Sequence, residues 1–527
     1  MARPRRYLSS VILACLWAIP ALAQLKAQAP RRSRPGTPEE RTAHLLDSIR
    51  ADPLDLRAFL VGMPKGGDLH MHLSGAVYAE SWIKEGIEDQ LCVDIVSLSF
   101  VRPPAENATS GAACDKGDVP AAEAYKDQHL YDALIDAFSM RGFVPSTGIT
   151  GHDHFFDAFA RFGAVSGNHA GQWLDEVATR AAAQNEQYLE IMVTPPFDHT
   201  AAIAKKLGWH AGQALGEFRQ QLLAQGLRED VAVVRAYLDQ AESIRKSQEH
   251  CGEPRQTAAC SVQIRYIYQV LRAFPPEQVF AQTLLGFEAA SADPRVVGIN
   301  YVQPEDDRVA MSDYGLHMKM LEFLHGIYPK VHISLHAGEL APGMVRPAGL
   351  CCHIRLAVEQ AHAERIGHGV DVMYEDRPYD LLKEMAAKHV MVEINLTSND
   401  LILGVSGKND PLPIYRRFGV PVALSTDDEG VSRIDVTHEY VRAVETYGLT
   451  YPDLKQMVRT SLEHSFLAGA SLWQDRDRFN RLVAACAQDS LSAQHPSPAC
   501  TKFLQSSERA KQQWELERRF LSFESSQ

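Results

Sequence analysis

Eight apolar runs of β character recur along the chain, at residues 68–73, 188–195, 262–271, 295–302, 331–338, 365–370, 390–398 and 420–427. Most are separated by stretches with apolar residues at helical spacing, such as 317–328 (HMKMLEFLHGIY) and 356–366 (LAVEQAHAERI). Alternation of this kind predicts parallel strands joined by crossover helices. Eight repeats fit a closed barrel, an α/β fold of (β/α)8 type. The alternative is an open doubly wound sheet, which is expected to carry a Gly-rich turn after its first strand. No such turn follows residues 68–73.

The regular spacing breaks once. An insertion at about residues 76–186 separates the first two strands and holds the loop segment 102–118 and the aromatic run 152–162 (HDHFFDAFARF). In a barrel it falls over the C-terminal mouth, where active sites are built, and so predicts a lid. Beyond the eighth strand, residues 436–470 and 506–523 read as helices. The expected domain is a single barrel over residues 42–527, preceded by a Pro- and Arg-rich flexible leader at 24–41.

Residues 1–23 combine Arg3, Arg5 and Arg6 with an apolar stretch and the small-residue site Ala21-Leu22-Ala23, which predicts a signal peptide and a periplasmic or secreted protein. The competing readings are an N-terminal anchor, although the stretch is short for a span, and a lipid-bearing Cys15. Arg5-Arg6 also has the look of a twin-arginine signal. Removing the segment leaves eight cysteines, an even number suited to an oxidising compartment. Cys92 with Cys114, Cys251 with Cys260, and Cys486 with Cys500 are expected to staple local loops. Adjacent Cys351 and Cys352 are expected to stay free, because a vicinal bridge strains the backbone. Asn107-Ala108-Thr109 fits a glycosylation triplet.

With 527 residues, 45% of them hydrophobic, the chain can build a large core. Its net charge of -13 argues against electrostatic binding of nucleic acid or of an anionic membrane, and for a small-molecule substrate. Nothing after the N-terminal stretch predicts membrane insertion.

The chemistry lies at strand ends. His70 and His72, two apart on one strand, leave on the same face and can converge on one ion. Further polar groups recur where buried strands should be apolar: His336 and Glu339 after the fifth strand, His368 in the sixth, Asp427 and Asp428 after the eighth. His70, His72, His336 and Asp427 can supply the three or four ligands that zinc needs. Beside them, His368 is a candidate to orient or deprotonate water, Glu339 to move a proton, and Asp428 to hold a substrate nitrogen. Taken singly, these are also ordinary core histidines, caps and turn residues. The recurrence at successive strand ends is what those readings leave unexplained.

The segments MPKGGDLHMHLSG, SLHAGE, RIGHGV and STDD, in that order, resemble the adenosine deaminase family of metal-dependent hydrolases, from about Met63 to Asp428. The resemblance implies a β/α barrel, one zinc ion per chain and hydrolytic deamination of adenosine and 2'-deoxyadenosine, with the roles given above. Signal peptide, insertion and local cysteines are similar to the secreted, growth-factor-like branch, which implies a homodimer. Two positions depart from the family pattern. Ser74 stands where many members have an acidic residue near the ribose, and Gln303 stands where a Gly lets backbone meet the purine. Phe155, Phe156 and Phe159 are similar to the apolar lid helix over the substrate. The alternatives are an adenine or modified-purine nucleoside deaminase and, in another class, a nucleoside-binding or signalling protein without turnover.

Overall fold

The structure, a computed structural model, describes residues 36–104, 114–491, 493 and 495–527. The signal segment, the leader through residue 35 and the Asn107 triplet lie outside the described residues. Each apolar run forms a strand: β1 (Gly66–His72), β2 (Glu186–Val193), β3 (Gln263–Leu271), β4 (Val296–Val302), β5 (His332–Ala337), β6 (Arg365–His368), β7 (Met391–Ile394) and β8 (Val422–Leu424). They pair in sequence order and always in parallel. Burial on both faces explains why the runs are almost continuously apolar.

The first and last strands meet only at their C-terminal ends. There Met71 bridges Asp427, the His72 N–H donates to the Asp427 carbonyl at 3.1 Å, and the Asp427 N–H donates to the His70 carbonyl at 2.9 Å. The buried Asp68 carboxylate reinforces this seam by accepting from the Thr426 N–H at 3.0 Å and hydroxyl at 2.6 Å. Sequential order with closure makes this a (β/α)8 barrel and excludes the doubly wound alternative.

A second polar layer lies within the barrel. Arg365 is fully buried between Glu190 and Glu393, 2.6 Å from each, with its guanidinium 3.8 Å over the Phe466 ring. A charge that deep persists because it is paired on both sides.

Among the described residues the first helix is Pro38–Ile49. Proline is well suited to a first helical turn, where its missing N–H costs no bond, and Glu39 and Glu40 favour the positive helix end. The C-terminal stretches form Val436–Tyr447, Tyr451–Glu463 and Glu508–Ser526. The insertion carries a small antiparallel sheet (Cys92–Asp94, Ser99–Val101, Val119–Pro120) and a helix over Gly151–Phe162.

The three local disulfides form as predicted, joining Cys92 to Cys114, Cys251 to Cys260 and Cys486 to Cys500. Cys351 and Cys352 correct the prediction: they too are bonded, as a vicinal pair. Cys352 takes a left-handed conformation (φ 84°) at the start of helix His353–Glu359, where the Glu375 carboxylate accepts its N–H at 2.9 Å. The turn that starts this helix thus fixes an unusual backbone at the pair. No helix among the described residues is long and apolar enough to cross a membrane.

Candidate active site

His70, His72, His336 and Asp427 come together at the C-terminal end of the barrel, with one potential ligand atom of each lying within 4.8 Å of the others. Their tautomers follow from what lies behind them. His70 Nδ1 is 2.6 Å from a Glu393 carboxylate oxygen, His72 Nδ1 is 2.5 Å from the Gln269 amide oxygen, and His336 Nδ1 is 2.8 Å from the Asn300 amide oxygen. Each of these oxygens accepts, so each Nδ1 carries the proton and each Nε2 presents a lone pair inward. His72 Nε2 and His336 Nε2 face one another at 3.1 Å, and two lone pairs at that distance repel unless a cation lies near them. His70 Nε2 is buried without a hydrogen-bond partner. Asp427 Oδ1 approaches His70 Nε2 at 3.4 Å and His72 Nε2 at 3.2 Å. Three imidazole nitrogens and a carboxylate, braced from behind, fit a divalent transition metal.

Electrostatics agree. Burial works against a charged His70, yet Asp427 and Glu393 lift its pKa to about 10, a measure of how strongly this point attracts positive charge. Burial also opposes ionisation of Asp427, but the adjoining imidazoles of His70 and His72 hold it well below the usual carboxylate range. Its backbone is left-handed (φ 61°), a conformation that costs energy for Asp and recurs at functional sites. Ser398 donates to its second oxygen at 2.6 Å.

Glu339 lies two residues beyond β5. Burial first, then the charges of Asp427 and Glu305, push its carboxyl up to about 8, so it carries a proton at neutral pH. Its backbone is clamped by Glu305, whose carboxylate accepts from the Gly338 N–H at 3.0 Å and the Glu339 N–H at 2.8 Å. His353 Nδ1 holds the same Glu305 at 2.5 Å. His368 Nε2 is 3.7 Å from both Glu339 and Asp427, while Nδ1 donates to the Asn399 amide oxygen at 3.1 Å and the Asn395 amide nitrogen lies 3.3 Å from Nε2. Burial lowers the His368 pKa to about 4, so the ring is neutral and its Nε2 can accept a proton. Asp428 has a buried oxygen with no partner, and burial raises its carboxyl well above the ordinary range. Gly75 is required beside it, because a Cβ there would collide with the Asp428 carboxylate.

These groups open on a cavity of about 450 Å³. Phe155, Phe156 and Phe159 wall it from helix Gly151–Phe162, whose start is fixed by a Thr150–Asp153 capping box. Phe155 is also core, at 1% exposure. Ser74 and Gln303 line the cavity too. The Gln303 amide oxygen is turned away, accepting the Ala273 N–H at 2.9 Å, and its backbone is left-handed (φ 85°). The amide oxygen is thus committed to backbone, while the conformation is one that glycine adopts freely.

All the predicted metal and acid-base residues thus meet at one place. Sequence reasoning missed the groups behind them: Glu393, Gln269, Asn300, Glu305 and Asn399. A signal was present for three. Glu393 and Asn300 are lone polar residues in otherwise apolar strands, and Gln269 is a buried polar residue inside the apolar half of its strand.

A family model described as adenosine deaminase matches residues 153–471. Adenosine deaminase of Clostridium perfringens is 34% identical over 135 residues, covering 25% of this chain and 37% of the relative. The Escherichia coli adenosine deaminase is 36% identical over 138 residues, covering 26% of this chain and 38% of that protein. The chain therefore spans little more than a third of the length of the curated relatives it matches. Among solved structures, apo N6-methyl-AMP deaminase from Arabidopsis thaliana superposes with a TM-score of 0.51 at 18% identity, covering 78% of this chain and 94% of that one. A zinc-bound amidohydrolase from Burkhoderia ambifaria gives 0.51 at 18%, covering 78% and 88%. At such identities the likeness shows the shared fold.

Proposed function

The chain belongs to the adenosine deaminase family, and on that premise we propose that it hydrolyses the six-amino group of purine nucleosides, converting adenosine and 2'-deoxyadenosine to their inosine forms and ammonia. The observation that carries this reading is the set of three inward Nε2 lone pairs and Asp427, opening on the same cavity as a protonated Glu339 and an unpartnered Asp428. His70, His72, His336 and Asp427 would hold one zinc ion, the metal bound by the Burkhoderia neighbour. Zinc bound there supplies Lewis-acid chemistry that makes water acidic, with a pKa of about 7.

The protein's own groups supply the rest. Neutral His368 takes a proton from water at Nε2, and Asn399 holds its other nitrogen in the donor form. Glu339 gives its proton to the purine ring nitrogen beside the carbon under attack, a transfer that stabilises charge developing there. Asp428, whose carboxyl burial raises well above the ordinary range, holds a second ring nitrogen. The phenylalanines exclude water from one wall. His368 passes its proton to the departing amine and the remaining hydroxyl proton of the former water returns to Glu339, so adenosine and water give inosine and ammonia with both groups restored.

The cavity also supports an uncharged substrate. No Lys or Arg lines it, and nearby Arg272 is committed to the carbonyls of Gln303 at 2.8 Å and His336 at 3.2 Å. A nucleotide phosphate would find no countercharge among the described residues there. The four disulfides support work in an oxidising compartment outside the cytoplasm.

Loss of adenosine absorbance by the zinc-loaded protein, with chelator-treated protein as control, tests the proposal. Fast, chelator-sensitive conversion of adenosine and 2'-deoxyadenosine but not of adenosine monophosphate is expected. Conversion confined to free adenine would replace the substrate, and zinc retention without any turnover would favour a binding protein.

A further inference from the structure

The catalytic cavity has a neighbour. A second cavity of about 470 Å³ shares Ser74, Phe159 and Thr194 with it, so these side chains form a common wall between the two. Beyond that wall the lining becomes aromatic: Trp82, Phe162, Trp173, Phe197 and Tyr237. The inner part is rigid, since Trp82 stacks on Phe162 at 4.4 Å with rings 7° apart and packs on Trp173 at 4.8 Å. Trp173 is anchored by donating its indole N–H to Glu85 at 2.6 Å. Trp82 is different. It is 3% exposed and its indole nitrogen has no hydrogen-bond partner. A buried N–H without an acceptor costs free energy unless something else supplies the acceptor.

We infer that this aromatic annex is a substrate subsite for an uncharged apolar group on the sugar's primary carbon, so that 5'-thioether purine nucleosides are substrates alongside adenosine. The inference rests on the proposed deamination and names a substrate class for the same site. Three features carry it. The reacting ring carbon must lie at Glu339 and the metal ligands, which places the sugar away from them. Of a nucleoside's positions the 5' carbon lies outside both ring systems, so a group attached there extends the molecule furthest. The wall it must pass is low at Ser74, where a hydroxymethyl group leaves room that a longer acidic side chain would fill. Aromatic faces favour alkylthio and arylthio groups through burial and stacking. Among the described residues Asp198 is the only charged one lining the annex, and a phosphate gains nothing from it.

The test compares kcat/KM of the zinc-loaded protein on adenosine, 5'-deoxy-5'-methylthioadenosine, 5'-deoxy-5'-phenylthioadenosine and adenosine monophosphate. Calorimetric binding of inosine and of 5'-phenylthioinosine, the corresponding products, runs in parallel. Thioethers are expected to react within about threefold of adenosine or faster, with the phenylthio product binding at least tenfold tighter than inosine. Gly167 lines the annex, and a Cβ there meets nothing within 4 Å. An added side chain at that exposed turn need not enter the annex, so the probe takes away an aromatic face instead: Phe197→Ala should cut the phenylthio-to-adenosine ratio of kcat/KM about tenfold. Thioethers more than a hundredfold slower than adenosine, or a ratio that Phe197→Ala leaves unchanged, would make the annex only a passage and overturn the inference. Thioether turnover without adenosine turnover would correct the proposed substrate and leave the subsite standing. If no nucleoside reacts, the products still decide: phenylthioinosine binding no tighter than inosine overturns the subsite.

Discussion

Two layers of buried polar groups occupy the same barrel, and they are finished differently. In one, Glu190, Arg365 and Glu393 are fully buried and every charge has an opposite charge at 2.6 Å. In the other, His70 Nε2 and a carboxylate oxygen of Asp428 have no partner, Glu339 is held protonated, and His72 and His336 face each other with lone pairs. Both layers carry the desolvation cost of buried polar groups, and the first offsets it by ion pairing within the chain, although Arg365 Nε and Glu190 Oε2 make no well-aligned hydrogen bond. The second is complete only with something from outside: a cation for the ligand set and a substrate for the acids. Glu393 joins the layers, touching Arg365 with one oxygen and His70 with the other.

The largest expected effect removes a ligand from the open layer. Asp427→Ala should lose metal and activity together, read as zinc per chain and as turnover. Full zinc content in the variant would end the ligand assignment. Glu339→Gln separates chemistry from metal holding. It should retain zinc yet fall by about 10²–10⁴ in kcat, the usual worth of a positioned proton donor. A zinc-loaded variant at wild-type rate would remove Glu339 from the mechanism.

The closed layer answers in stability. Arg365→Met leaves Glu190 and Glu393 as buried neighbours without a countercharge, and unfolding free energy should drop by about 3–5 kcal/mol, measured by urea denaturation. A drop below about 1 kcal/mol would mean that the layer is solvated or protonated and that the contrast between layers is false. Glu393→Gln sits between the two. It weakens the support of the His70 tautomer, so zinc affinity by competition with a chelator should fall about 10–100-fold while the fold survives. Unchanged affinity would show that the layers are neighbours without being coupled.

Legibility from sequence follows the same division. The open layer was readable because its residues violate the apolar pattern at strand ends, in groups: His70 with His72, Asp427 with Asp428. The strands were readable because burial on both faces leaves a run no polar face to hide. Arg365 and Glu393 were equally visible as charges inside apolar runs, but what a lone buried charge pairs with depends on strands that follow much later or earlier in the chain. Glu305 was invisible for another reason: it acts by accepting the Gly338 and Glu339 backbone N–H groups, which no side-chain motif records. The vicinal Cys351–Cys352 bond was misread because an argument from local strain omits the surroundings, here Glu375 fixing the turn. The aromatic annex lies partly in the insertion, where no regular spacing indicates which rings will share a wall.

The smallest effect concerns how the open layer is covered. Helix Gly151–Phe162 is tied across the mouth by His152, whose Nε2 lies 3.1 Å from Asp306, with Asp153 at 3.3 Å from the other nitrogen. Burial lowers the His152 pKa, but Asp306 and Asp153 more than offset this and raise it. A raised folded pKa means that the tie contributes fully below the unfolded value of about 6.5 and is lost as pH rises through the folded value. The contribution of a partly exposed pair is about 0.2–1 kcal/mol, too small for global unfolding to report. Hydrogen exchange confined to residues 151–162, corrected for intrinsic rates, is sensitive enough. Protection there should fall between pH 6 and pH 9 by up to about fivefold, and His152→Ala should flatten the profile at the lower level. A profile that is already flat in the unaltered protein would show that the phenylalanines alone hold the cover, and that the open layer is closed by packing without help from charge.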